Sequence, residues 1–140
     1  MGSQVEIKGF DDFAKFTENI DPKGPPVVFF FSGSKTADGN SWCPDCVEAE
    51  PIVKAFLSEL KKDVIFVYVD VGNREYWKDR ACPFRTDSRS KLMVIPTLIK
   101  WKGVQRLEGS QLPSLPKKCI LEYILILLIL IRRFFITNLQ

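Results

Sequence analysis

The chain of 140 residues contains no histidine. That absence excludes Ser-His-Asp and Cys-His nucleophilic sites, HExxH metal sites and any zinc site that uses imidazole. A nucleophile in this protein is therefore activated by something other than an imidazole base. There is no charge surplus in the body either, since residues 1–110 hold 16 Lys+Arg against 16 Asp+Glu. The excess of +3 comes entirely from Lys117, Lys118, Arg132 and Arg133 against Glu122. A body of zero net charge offers no field to hold phosphate backbones, which argues against nucleic acid as a partner. Cysteine is scarce as well. Four residues, at 43, 46, 82 and 119, are too few for a disulfide scaffold at this size and suit a reducing compartment with one working pair. The opening residues MGSQVEIKGF lack a basic segment leading into an apolar run, and Glu6 stands where a myristoylation pattern wants Ser or Thr. We expect an unmodified cytosolic start.

What is present has the makeup of a globular domain, with 46% hydrophobic and 26% charged residues, and the length of one such domain. Val5 and Ile7 alternate as an opening strand, and Phe13, Phe16 and Ile20 recur at helical spacing, with Asp11 or Asp12 expected as the cap. After a turn-rich break at 21–26, the apolar run 27–31 predicts a central strand buried on both faces. A polar loop at 33–41 follows, in which Lys35 and Thr36 read as solvated residues. Beyond it Cys46, Ala49, Ile52, Val53, Phe56, Leu57 and Leu60 keep the spacing of a helix with one buried face. Pro51 lies inside that helix and should bend rather than end it. Further strands are expected at 64–69 and 95–101, a short helix or turn at 74–80, and a hairpin partner at 104–107 after a turn at Gly103. This order predicts an α/β sandwich with helices covering a mixed sheet.

Chemistry concentrates at Trp42-Cys43-Pro44-Asp45-Cys46. Cysteines at i and i+3 at a helix start place both sulfurs on one side of the first turn, within reach of a reversible disulfide. Pro44 suits the first helical position, which makes Cys43 the N-cap and Cys46 the third residue of the helix. Cys43 then sits where free N–H groups and the helix dipole favour thiolate, so it is the candidate nucleophile and Cys46 the resolving thiol. Asp45 works against this, and Cys43 should be less acidic than it would be beside a neutral neighbour. A CxxC pair also forms half of some zinc sites, but Cys82 and Cys119 follow at intervals of 36 and 37 residues without the second close pair a zinc ribbon needs. Ile95-Pro96 is the second candidate element. Proline at a strand start is often an edge or turn device; as a cis bond it would leave backbone groups free to pair with an extended substrate.

These residues, with 33–35 and Ser41 before the pair, Ala49-Glu50-Pro51 after it, Tyr76-Trp77-Lys78-Asp79 and Ile95-Pro96-Thr97-Leu98, resemble the Clot-type thioredoxin-like family of the thioredoxin superfamily. The likeness covers about residues 5–111. It implies a thioredoxin fold with a mixed central sheet covered by helices, and a cis-Pro96 facing the cysteines. It further implies a cytoplasmic, monomeric disulfide reductase that binds no cofactor and takes its electrons from NADPH through thioredoxin reductase. Small or selected disulfides such as cystine are the implied substrates, with assistance to peroxide reduction as an extension. The loop at 33–41 gives a physical reason for selectivity, since extra residues beside the site narrow its approach. Ordinary thioredoxin carries a buried acid six residues before its first cysteine; here that position is Ala37, and the strand at 27–31 has no acid. Asp45 either takes part of that role or is simply a first-turn charge. Trp42 either packs beside the site or touches substrate, and Cys82 reads as a partly buried or exposed spare thiol.

The likeness stops at Leu112, so we divide the chain into a thioredoxin-like domain at 1–111 and a divergent hydrophobic segment at 112–140. Residues 120–131 are apolar except Glu122, between Lys117-Lys118 and Arg132-Arg133. Twelve residues fall short of the ~20 of a membrane span. Three readings stand for this tail: a final helix packed on the sheet, a short membrane anchor, and an altered C-terminus that promotes aggregation. Beside the reductase we keep two rivals, a redox-sensitive binding or signalling adaptor with the same fold and the same domain tail-anchored to a membrane.

Overall fold

A computed structural model describes residues 3–59, 63–101 and 106–108. The boundary at 111/112, the readings of the tail, and Cys119 lie outside these residues. The element order is β1 (Gln4–Lys8), α1 (Phe10–Glu18), β2 (Val27–Ser32), α2 (Pro44–Glu59), β3 (Ile65–Asp70), α3 (Arg74–Lys78), α4 (Pro83–Thr86), β4 (Thr97–Lys100) and β5 (Arg106–Glu108). The strands form one mixed sheet in the order β1-β3-β2-β4-β5. β1, β3 and β2 run parallel, whereas β4 and β5 are antiparallel to their neighbours. The expected α/β architecture is therefore present, and its most apolar strand is at the centre.

The sequence VVFFFS explains that position. Alternation along β2 sends Phe29 and Phe31 to one face and Phe30 and Ser32 to the other, so both faces need cover. On the first face Phe13 of α1 stands edge-on to Phe29 and Phe31, with centroids 5.3 and 5.4 Å away, and meets Phe84 of α4 at 5.8 Å. Such pairs contribute about 0.5–1.5 kcal/mol each beyond burial. On the second face Phe30 lies against Phe66 and Tyr68 of β3, and α2 brings Cys46 and Glu50 to the side of Ser32 and Tyr68.

Several expectations are corrected. α1 starts two or three residues earlier than Asp11 or Asp12 would cap it: Gly9, at φ 86°, is the N-cap, and the two aspartates sit in the first turn, where they favour the dipole. The one-turn α4 was not anticipated, although Pro83 at its start is a helix-opening signal. Cys82, read as partly buried or exposed, is 2% exposed and precedes that turn. The hairpin partner of β4 begins at Arg106, with Val104 outside the described residues. Pro51 lies within α2 and does not terminate it, as its apolar spacing implied.

The register of β2 with β4 pairs Phe31 with Thr97, which sets Pro96 level with Ser32 where β2 gives way to the loop before α2. The sheet thus delivers the start of α2 and the Ile95-Pro96 segment to the same end. Because Phe13 joins both strand and helix packing on its face, Phe13→Ala should cost about 3–5 kcal/mol in equilibrium denaturation. A loss below 1 kcal/mol would show that this aromatic slab does not hold the sheet.

Candidate active site

The dithiol sits at the N-terminus of α2, as its spacing predicted. Pro44 is the first helical residue, and the Val47 N–H donates to the Cys43 carbonyl at 3.1 Å, so Cys43 is the residue that opens the helix. The next free donor, the Cys46 N–H, points at the Cys43 sulfur at 3.4 Å. A sulfur thus occupies the place of a capping oxygen. The Cys43 N–H donates to Ser41 Oγ at 3.2 Å, and the Cys43 thiol lies 3.9 Å from the Ile95 carbonyl. Ile95-Pro96 is a cis peptide, as expected for that segment.

Cys43, Cys46 and Cys82 are all free thiols. Cys43 is 7% exposed and Cys46 fully buried, which gives the two sulfurs unequal access to a substrate. Their acidities diverge as well. A hydrogen bond from the Cys46 thiol, helped by the Cys46 N–H, brings Cys43 down to about 7 against the opposing effects of burial and the Asp45 charge. Cys46 is pushed up by that same bond and by its own burial. One proton is in effect shared by the pair, and it stays on the inner sulfur.

The surroundings hold this arrangement from three sides. Trp42 is half-buried; its Nε1 donates to the Gly72 carbonyl at 2.9 Å, and its backbone N–H donates to Ser34. A side chain at Gly33 would strike the indole at 2.7 Å, so only glycine lets Trp42 lie against the strand exit. Asp70, at the end of β3, accepts from the Ser34 hydroxyl and from the Gly72 N–H, tying the loop after β2 to the loop after β3. The segment at 33–41 is itself folded: Lys35 pairs with Ser41, and Thr36 and Asn40 are bonded across the tip.

Lys35 is more than a solvated residue. It bridges to Glu50 of α2 at 3.0 Å and stands over the Tyr68 ring at 5.7 Å. Burial pushes the Glu50 carboxyl up, but Lys54 and Lys35 outweigh it and hold Glu50 below the usual carboxylate range. Pro44 and Asp45 are exposed at the mouth of the site. Beside cis-Pro96, Met93 is 69% exposed and Val94 41%, an apolar lip next to the nearly covered Cys43. Among the described residues no three His, Cys, Asp or Glu gather into a set able to hold a metal ion. None of their helices is long and apolar enough to cross a membrane.

Sequence reasoning brought Trp42, Cys43, Pro44, Asp45, Cys46, Ile95 and Pro96 forward, and the fold gathers them at one end of the sheet. It missed Ser41, which accepts from the Cys43 N–H, and Ser32, whose hydroxyl faces Cys46. Ser32 ends an apolar run, and a lone serine there gives no local signal of its direction.

Residues 6–125 match the thioredoxin domain described as thioredoxin domain-containing protein 17-like. The chain belongs to that family. Thioredoxin domain-containing protein 17 of Mus musculus is 40% identical over 108 residues, covering 77% of this chain and 85% of that protein. The thioredoxin-like protein Clot of Arabidopsis thaliana is 41% identical over 87 residues, 60% of this chain and 65% of that one. Among solved structures, oxidized thioredoxin O1 of Arabidopsis thaliana superposes with TM-score 0.50 at 23% identity, covering 78% of this chain and 87% of that one. Reduced thioredoxin of Schistosoma mansoni gives TM-score 0.50 at 23% identity, covering 87% and 98%. The fold is that of thioredoxin, and membership of the thioredoxin domain-containing protein 17-like family together with the close cysteine pair is consistent with a thiol redox role.

The Asp45 charge opposes a thiolate on Cys43. Asp45→Asn should therefore move the midpoint of the ultraviolet thiolate signal to lower pH than the wild-type value near 7. An unchanged midpoint would mean that solvent screens this exposed charge completely, and a higher one that residue 45 favours the thiolate by another route.

Proposed function

We propose that the protein is a cytoplasmic thiol-disulfide oxidoreductase that reduces small or selected disulfides. The observation that carries this reading is the Cys46 N–H aimed at the nearly covered Cys43 sulfur beside Ile95-cis-Pro96. In that setting Cys43 is ionised near neutral pH while retaining the nucleophilicity that a very acidic thiol lacks. The Cys43 thiolate attacks one sulfur of a disulfide R–S–S–R′ and expels R′–S⁻, which takes a proton from water. Cys46 then gives up its proton, attacks the Cys43 sulfur, expels R–S⁻, which takes up a proton, and closes the Cys43–Cys46 disulfide, so two electrons pass from the dithiol to the substrate. The resemblance supplies the rest of the proposal: recharging by thioredoxin reductase at the expense of NADPH, no bound cofactor, cystine-like or selected protein substrates, support of peroxide reduction, and a monomeric state. The folded loop at 33–41 favours small or selected substrates, because it stands beside the dithiol. Trp42, Pro44, Asp45, Ile95 and Pro96 form the mouth that a substrate meets.

Three measurements test this. Cys46→Ser should accumulate a covalent mixed disulfide with cystine, visible by mass, while Cys43→Ser should form none at that site. In graded glutathione buffers the wild-type pair should titrate as a two-electron couple between about −200 and −300 mV, within the range of known reductases. Reduction by the wild-type protein should fall about tenfold per pH unit below pH 7, where Cys43 becomes protonated, and level off above it. A chain that binds a partner but traps no adduct with Cys46→Ser is the adaptor, not the reductase.

A further inference from the structure

Among the described residues two buried side-chain polar atoms have no hydrogen-bond partner, the hydroxyls of Ser32 and Tyr68. Buried hydroxyls are almost always bonded, and an orphan costs folding stability. Two such orphans in one place call for a reason.

They are neighbours. Phe30 pairs with Tyr68 and Ser32 with Asp70 across β2 and β3, so Ser32 and Tyr68 project from adjacent strands on the same face of the sheet, offset by one pair. Ser32 is fully buried. Its hydroxyl faces both the Cys46 thiol and the Tyr68 phenol closely enough to favour the ionised form of each, yet it meets neither in a well-formed hydrogen bond. On its other side Tyr68 lines a cleft of about 420 Å³ with Ser34, Lys35 and Asp70, open to solvent between β1 and the loop at 33–41. Tyr68 therefore stands between Ser32 and the cleft, with its hydroxyl itself covered.

Resolution requires a proton to leave Cys46, which has no exposure of its own. Ionised groups bear on this corner, Glu50 and Asp70 by their charge and Lys35 over the phenol ring, but none bonds to Cys46. We propose that Ser32 and Tyr68 form a two-hydroxyl relay that carries the Cys46 proton to the solvent-open cleft during resolution. As Cys46 attacks the mixed disulfide, its proton passes to Ser32 Oγ. Ser32 gives its own proton to Tyr68 Oη, and Tyr68, whose hydroxyl is covered at rest, releases its own once cleft water reaches that hydroxyl. The departing R–S⁻ takes up a proton from solvent, so the net change is one thiol converted and one thiol released. Both hydroxyls are neutral before and after, so no charge is left in the interior, and an unpaired hydroxyl is free to rotate between its two neighbours.

This relay rests on the reductase reading, and the experiment separates the two. With Ser32→Ala, Tyr68→Phe and the double variant, stopped-flow measurement with a chromogenic aryl disulfide follows attack by Cys43 and resolution by Cys46 as successive releases of aryl thiolate. We expect attack within twofold of wild type in all three. Resolution should slow about tenfold or more in each single variant, as for loss of a general acid-base group. The double variant should be no slower than the slower single one, because both cut the same path. Each single variant should melt at or above the wild-type temperature, since an unpaired hydroxyl has been removed. Resolution within twofold of wild type in folded variants overturns the relay and leaves the reductase standing, as does slowing that multiplies in the double variant. A wild-type protein that releases no aryl thiolate overturns both.

Discussion

A backbone N–H at the start of α2 has to find an acceptor, and the acceptor is a sulfur. The bond from Cys46 N to Cys43 Sγ links helix formation to thiol chemistry, because the same donor that completes the helix terminus stabilises negative charge on Cys43. Pro44 contributes by having no N–H to compete, and Cys46 contributes both its amide and its thiol. Acidity at the outer sulfur and resistance to ionisation at the inner one are two sides of one hydrogen bond.

The rest of the molecule holds that helix terminus in register with the Ile95 carbonyl. The aromatic slab of Phe13, Phe29, Phe31 and Phe84 stiffens one face of the sheet, while Phe30 and Phe66 stack on the other. Between these faces β2 has little freedom to slide, and a slip of one residue would turn Ser32 away from Cys46 and put Phe31 in its place. The antiparallel pairing of β2 with β4 then fixes where Ile95-Pro96 arrives.

Around the strand ends polar groups do what apolar packing cannot. Asp70 gathers Ser34 and Gly72, Gly72 accepts from Trp42, and Lys35 ties the folded loop to Glu50. Gly72, at φ +100°, has its missing side chain beside Tyr76 at 2.8 Å, so both its conformation and its neighbour demand glycine. These contacts join two loops and α2 into one wall beside the dithiol, with Asp45 and the Met93-Val94 lip left at its mouth.

Much of this was legible in the residues, for local reasons. The cysteine spacing, Pro44 at the first helical position, the central run VVFFFS and Ile95-Pro96 act over a few residues, and rules of that range determine a dithiol at a helix start, a strand buried on both faces and an α/β class. The cap of α1 was misplaced because Gly9 and Asp11 both satisfy a local rule, and the carbonyl of Asp70, 61 positions along the chain, accepts from Gly9. Tertiary structure alone decided that Cys43 is almost covered, that Ser41 and Ile95 meet it, that Cys82 is interior, and that the Ser32 hydroxyl faces Cys46. Each of these depends on which face a side chain takes once strands pair in register, and that register is set by contacts between residues far apart in the chain, where spacing along the sequence carries no information.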